Sequence, residues 1–140
     1  IQFFVDVAEF DAFDRIVDLG VPSIVDHMGG MPVQHGLDHP NFRRMVELLA
    51  KGKLWVKLSG SYRVTSESIP YRDTIPMGRT LVAANPEQLV WATDWPHTHF
   101  EGRMPNDGEL LDLLAEWAPD AAVRDRILAD NAQRFYGFGR

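Results

Sequence analysis

The sequence predicts an α/β protein built on a parallel sheet, and three observations predict it. Short apolar runs alternate four times with amphipathic segments, the pattern of strand–helix units joined by crossovers. The apolar runs break off into charged or hydroxylated residues, so chemistry-bearing side chains recur at strand ends. The chain also opens at Ile1, inside an apolar run, which points to a segment of something longer. Alternation alone fits a small doubly wound sheet or half of an eight-fold barrel. The other two features favour the half barrel, a single incomplete barrel domain over residues 1–140.

Composition narrows the function classes. A chain of 140 residues, 45% hydrophobic and 24% charged, suits one globular domain with a real core. Net charge is -6, and lysine and arginine cluster no further than pairs such as Arg43-Arg44. That excludes a nucleic-acid or anionic-membrane surface. No apolar run approaches the roughly 20 residues of a membrane span. Cysteine is absent, which rules out disulfides and thiolate metal sites and fits a reducing, cytoplasmic setting.

The elements follow in order. Ile1–Val5 is dense in β-branched and aromatic residues and reads as a strand. From Ala8 to Leu19, Phe10, Phe13, Ile16 and Val17 mark one helix face, and Gly20 supplies the stop. Val21–Val25 is the second strand, with Pro22 tolerable only near its start. Pro40 suits the first turn of a helix whose buried stripe is Phe42, Met45, Val46 and Leu49, ended by Gly52. Lys53–Leu58 is the third strand and runs into Ser59-Gly60-Ser61-Tyr62-Arg63. After a polar loop, a helix spans Asp73 to Ala84 with Leu81 and Val82 inward, and Asn85-Pro86 stops it.

Leu89–Ala92 is short and apolar and reads as a strand buried on both faces. It ends in Thr93-Asp94-Trp95-Pro96-His97. A carboxylate and an imidazole just past a buried parallel strand stand where α/β proteins build active sites. Asn106 or Asp107 caps the next helix, with Leu110, Leu111, Leu114 and Trp117 inside. Pro119-Asp120 opens another, carrying Val123, Ile127 and Leu128, and a short helix from Asn131 to Tyr136 closes the chain.

Three strand ends, Ile24–Gly29, Trp55–Arg63 and Val90–His97, resemble in this order the last three strand ends of the amidohydrolase-related family of barrel hydrolases. The closing run Ile127–Phe138 is similar to that family's terminal helix. The nearest subgroup is the 2-pyrone-4,6-dicarboxylate hydrolases and their relatives. The resemblance implies the C-terminal half, strands five to eight, of a (β/α)8 TIM barrel, and a place in aromatic catabolism. It makes Asp94 the general base, His27 the group that polarises the carbonyl or ligates a metal, and Arg63 the grip on a substrate carboxylate. Tyr62, Ser61 and His97 join as substrate-binding residues. A divalent metal such as zinc would sit on His27 and Asp94 in the complete barrel. No histidine ends the first strand, which leans toward the metal-independent subgroup. The implied partners are a small anionic carboxylate and an N-terminal half barrel or second copy that closes the fold.

The same chemistry follows from the side chains. Opening a lactone needs a base for water, a polariser of the carbonyl oxygen and a group that orients the substrate. An aspartate is ionised at neutral pH, an imidazole can donate to an oxyanion, and a guanidinium fork suits a carboxylate. Each residue also has a plainer role: His27 bonded to a loop carbonyl, Arg63 paired with Glu67, Ser59 and Ser61 serving the turn, and His97 steadying Asp94. His35 and His39 are expected to face solvent. Two other readings stand beside the lactonase: a metal-dependent decarboxylase or amidase on the same barrel, and a non-catalytic α/β ligand-binding module.

Overall fold

The computed structural model describes residues 1–138. Four short strands, β1 (Gln2–Phe3), β2 (Ile24–Val25), β3 (Trp55–Leu58) and β4 (Leu89–Trp91), form one sheet, and every pairing is parallel. Their spatial order is β1-β2-β3-β4. A doubly wound sheet reverses direction at a switch point, whereas a barrel adds each strand beyond the last. The sequential order therefore selects the half-barrel architecture over the open sheet.

Seven α-helical segments accompany the strands: α1 (Phe13–Val17), α2 (Pro40–Ala50), α3 (Ser61–Val64), α4 (Ile75–Ala84), α5 (Asp107–Trp117), α6 (Ala121–Asp125) and α7 (Asn131–Tyr136). Alternation along each strand separates two faces. Val25, Val56, Leu58 and Leu89 point into the core shared with the helices, together with Phe42, Met45, Leu81 and Trp117. Gly78 permits the tightest contact in that core, because a Cβ there would stand 2.4 Å from the Trp117 ring. The opposite face carries Gln2, Asp26, Lys57 and Asp94, the inward side of a barrel.

Several local expectations need correction. The helix expected over Ala8–Leu19 is split into a 3-10 turn, Val7–Glu9, and α1. Asp6 caps the turn through Ala8 N–H, and Phe10 then adopts extended backbone while its ring packs edge-on to Phe13 at 5.1 Å. The strands are shorter than their apolar runs. Pro22 has no N–H to give the ladder, and among the described residues β1 has a neighbour on one side only. Trp91 and Ala92 are half-buried, so the fourth strand is not covered on both faces along its length. The Asp73–Ala84 helix begins as a 3-10 turn over Arg72–Thr74, with Pro76 in the first turn of α4. Leu111 and Leu128, expected inside, face outward at 42% and 39% exposure, displaced from the core by Leu110 and Ile127. His35 is exposed as expected, but His39 is half-buried with its ring edge-on to His35 at 5.8 Å.

The remaining helices follow the sequence closely. Asn106 caps α5, accepting from Gly108 N–H, and Glu109 reaches back to the Asn106 N–H to complete a capping box. Asp120 caps α6 through Ala122 and Val123 N–H. A π-helical turn over Arg126–Asp130 then leads into α7. Its buried Asn131 donates to the carbonyls of Pro86 and Leu89, both at 2.7 Å, and so ties the closing helix to the foot of β4. No helix among the described residues is long and apolar enough to cross a membrane.

Candidate active site

The site grows from the C-terminal ends of β2, β3 and β4. At the end of β2 the chain turns sharply through Asp26, His27 and Met28. His27 and Met28 both hold left-handed backbone, with φ of 52° and 54°. Hydrogen bonds from Gly29 N–H to the Asp26 carbonyl and from Gly30 N–H to the His27 carbonyl close this turn. It presents the His27 ring to Ser59, at the end of β3, with Nδ1 and Oγ 2.9 Å apart. Both residues are buried.

After Ser59, Gly60 adopts φ of 62° and α3 begins at once. A Cβ on Gly60 would stand 2.5 Å from His27 Nδ1, so the close approach of the two strand ends requires glycine here. The single turn of α3 aims Tyr62 and Arg63 at the end of β4. Tyr62 Oη donates to Asp94 Oδ2 at 2.5 Å, and Arg63 Nε donates to the same oxygen at 2.7 Å. Arg63 Nη2 also donates to the Thr98 carbonyl at 3.0 Å. Asp94 itself holds φ of 67°. Its other oxygen, Oδ1, lies 3.8 Å from His27 Nε2.

Electrostatics assign protonation states. Burial pushes the Asp94 carboxyl up, but hydrogen bonds from Tyr62 and Arg63 and the charges of His27 and Arg63 outweigh it and hold it below the ordinary value. Burial depresses His27 more than Asp94 and Asp26 raise it, with Arg63 and Lys57 adding to the depression. Burial and the Asp94 carboxylate push the Tyr62 hydroxyl far up, so Tyr62 remains a donor. At neutral pH the arrangement is an ionised Asp94 facing a neutral His27.

Asp26, His27, Lys57, Ser59, Asp94 and Trp95 are among the walls of an open cavity of about 300 Å³. The sequence-derived residues fall around it unevenly. His27 and Asp94 line it, while Tyr62 and Arg63 meet Asp94 from behind. Arg63 is not paired with Glu67: its Nε is engaged by Asp94. Ser61 is buried at the start of α3, and Ser59 is the serine that meets His27. His97 is 4% exposed, with Nε2 3.3 Å from Asp107 Oδ1 and its ring edge-on to Tyr62 at 5.3 Å. It thus packs behind Tyr62, between the β4 loop and the first turn of α5.

Sequence reasoning missed two residues here. Lys57 reads as a strand lysine, yet its Nζ lies 2.8 Å from Asp26 Oδ1 and its side chain is only 13% exposed. Asp26 is 5% exposed; its Oδ1 faces Lys57 as an ion pair and its Oδ2 accepts from Gln2 Nε2 at 2.8 Å. The available signal was the alternation of Trp55-Val56-Lys57-Leu58, which puts Lys57 on the face opposite the core.

A divalent metal would find two donors here, His27 Nε2 and Asp94 Oδ1. Catalytic zinc takes three protein ligands, and the described residues hold no group of three His, Cys, Asp or Glu side chains arranged for a metal. Asp94 Oδ2 is already filled by Tyr62 and Arg63. This donor set does not make a metal site by itself.

A parallel half barrel with a carboxylate, an imidazole and a guanidinium meeting at its strand ends defines the class as a barrel protein with a polar site at its C-terminal rim. The chain belongs to the amidohydrolase family, whose match covers residues 6–138. It is 41% identical over 126 residues to the 4-sulfomuconolactone hydrolase of Hydrogenophaga intermedia, covering 89% of this chain and 42% of that protein. It is 33% identical over 141 residues to the 2-pyrone-4,6-dicarboxylate hydrolase of Comamonas testosteroni, covering 94% of this chain and 46% of that one. The apo crystal structure of an Agrobacterium tumefaciens protein superposes with a TM-score of 0.87 at 29% identity, covering 99% of this chain and 50% of that chain. The chain thus spans about half the length of the relatives it matches.

Proposed function

We propose that this chain supplies the Asp94 half of the active site of a lactone hydrolase acting on a small carboxylated lactone. Supporting relatives act on 4-sulfomuconolactone and 2-pyrone-4,6-dicarboxylate. The observation that carries the reading is the division of labour within Asp94. Oδ2 is held by Tyr62 and Arg63, whereas Oδ1 opens on the cavity opposite His27.

The chemistry runs as a base-assisted addition. Asp94 Oδ1 takes a proton from water as the water oxygen bonds to the lactone carbonyl carbon. The carbonyl oxygen becomes an oxyanion, which the neutral His27 ring stabilises by donating from Nε2. Ser59 completes that tautomer by donating its hydroxyl to Nδ1. Collapse breaks the ring carbon–oxygen bond, and the proton on Asp94 passes to the leaving oxygen. Arg63 locks the Asp94 carboxylate with Nε and, from a separate opening that it lines with Phe4 and Gly30, offers Nη1 to a substrate carboxylate reaching past Asp94, an orientation a lysine cannot reproduce. Tyr62 holds Asp94 from the other side, and His97 acts through the Tyr62 ring that it packs against.

The barrel must close for this site to be complete. β1 and β4 each have a sheet neighbour on one side only, among the described residues, and both edges invite further strands. The closing partner is a complementary set of four β/α units, an N-terminal half or a second copy. The deciding experiment is a product assay on the complete barrel with 2-pyrone-4,6-dicarboxylate and 4-sulfomuconolactone. Ring-opened acid without loss of carbon supports the reading. Release of carbon dioxide from a carboxylate, or of ammonia from an amide, with no ring opening would overturn it.

A further inference from the structure

We propose that Asp26 and Lys57 are a positioning pair that sets the His27 ring against Asp94. The two strand ends are cross-linked twice, one residue apart on β2 and two apart on β3. Asp26 meets Lys57 at 2.8 Å, and His27 meets Ser59 at 2.9 Å. The register Val25 to Val56 puts Asp26 beside Lys57 on the inward face. Gln2 Nε2 binds the second Asp26 oxygen at 2.8 Å and extends the link to β1.

The turn that follows Asp26 needs such a hold. Left-handed backbone at His27 and Met28 is unfavourable for residues with a Cβ and persists only when the surroundings impose it. The Asp26 carbonyl closes that turn through Gly29 N–H, while the Asp26 carboxylate is held by the hydrogen bond from Gln2 and by the charge of Lys57. Backbone and side chain of one residue therefore determine where the next residue's ring points. A mostly buried ion pair is a poor device for stability, because desolvation offsets much of the attraction. Two apolar side chains would hold the strands as well, but they would not fix one rotamer of Asp26. Lys57 touches no reacting atom in this arrangement and acts through Asp26 and His27.

The test uses the complete barrel and two readouts. Imidazole nitrogen resonances of His27, assigned with a His27→Gln control, report its tautomer and hydrogen bond whatever reaction the protein catalyses. Steady-state kinetics rest on the lactone-hydrolase reading. Lys57→Met is expected to shift or broaden the His27 resonances. It is also expected to lower kcat about 10- to 100-fold, the scale of a misplacement near 1 Å, with little change in KM. Lys57→Arg, which restores a cation opposite Asp26, should recover most of both. If Lys57→Met does not fold, the charge-free pair Asp26→Asn with Lys57→Met is judged by the same criteria, and Lys57→Arg supplies the comparison. Unchanged His27 resonances in a variant lacking the ion pair would overturn the proposal. So would a proportional rise in KM at constant kcat, which would make Lys57 a substrate contact. A shifted His27 signal in a protein that opens no lactone would keep the positioning pair and discard the functional reading instead.

Discussion

Tyr62 and Asp94 are joined by a 2.5 Å hydrogen bond from the phenol to Oδ2, and that bond determines which carboxylate oxygen is free. With Arg63 Nε on the same atom at 2.7 Å, Oδ1 is the oxygen left facing His27, at 3.8 Å from Nε2. Charge-assisted bonds of this kind are worth about 1.5–3 kcal/mol each. Together they hold the carboxylate ionised and in one orientation.

Asp94→Asn should fold and fail to turn over. The amide keeps the size of the side chain but cannot take a proton from water. General-base catalysis contributes about 10²–10⁴-fold, so kcat in the complete barrel should fall at least that far. Thermal melting alongside steady-state kinetics checks it. A well-folded variant that keeps more than about a tenth of its turnover would return Asp94 to a structural role.

Arg63→Met should cost roughly 2–4 kcal/mol in kcat/KM, the scale for removing one partner of a hydrogen-bonded charge pair. Because Arg63 already holds Asp94, the loss should appear in kcat as well as in KM. Lysine should restore only part of it, since it lacks the fork that spans Asp94 and Thr98. Competition by dicarboxylates and their monoesters separates the two components.

Gly60→Ala tests the contact between the strand ends. Its Cβ would lie 2.5 Å from His27 Nδ1, and the left-handed backbone adds about 1–3 kcal/mol of strain. The variant should melt lower and lose the His27–Ser59 hydrogen bond. Normal stability together with normal activity would show that the two ends are not so tightly apposed.

Stability should fall on the acid side of neutrality. The folded His27 value is held below the ordinary 6.5, chiefly by burial, so the unfolded chain binds a proton first as pH drops. The contribution is complete above about pH 6.5 and is lost as pH falls from there toward the folded value. Asp94, depressed below 3.8 in the fold, adds a second loss at lower pH by the same sign. Denaturant titrations at pH 7.5 and 5.5 should show the first decline in the wild type and not in His27→Gln.

The chain on its own should associate and be inactive. Trp95, 75% exposed, lines the cavity, Phe4, 68% exposed, stands edge-on to His27, and both outer strands lack a second neighbour among the described residues. Sedimentation should show dimers or larger species at working concentration. A monodisperse monomer that opens lactones would contradict the need for a closing partner.

Local order determined much of this protein from sequence alone. Four strand–helix units, a cap at Asn106 or Asp107 and a helix opening at Pro119-Asp120 follow from periodicity and turn chemistry, which operate over a few residues, while His27, Arg63 and Asp94 are picked out by the resemblance of the strand ends to a known family. The helix broken at Phe10 and the outward Leu111 and Leu128 escaped that reading, because neighbours distant in sequence chose those conformations. Periodicity alone leaves the architecture open, because alternation is the same in an open sheet and a half barrel; the strand-end motifs point to the half barrel, and long-range pairing shows the order that it requires. Tertiary structure also decided the partners. Arg63 turns to Asp94 instead of Glu67, Ser59 and not Ser61 meets His27, and Lys57 becomes the mate of Asp26. Each of these contacts joins residues about thirty positions apart. A side chain's type is written in the sequence, but its hydrogen-bond partner is fixed only when parallel strands bring their ends within 3 Å.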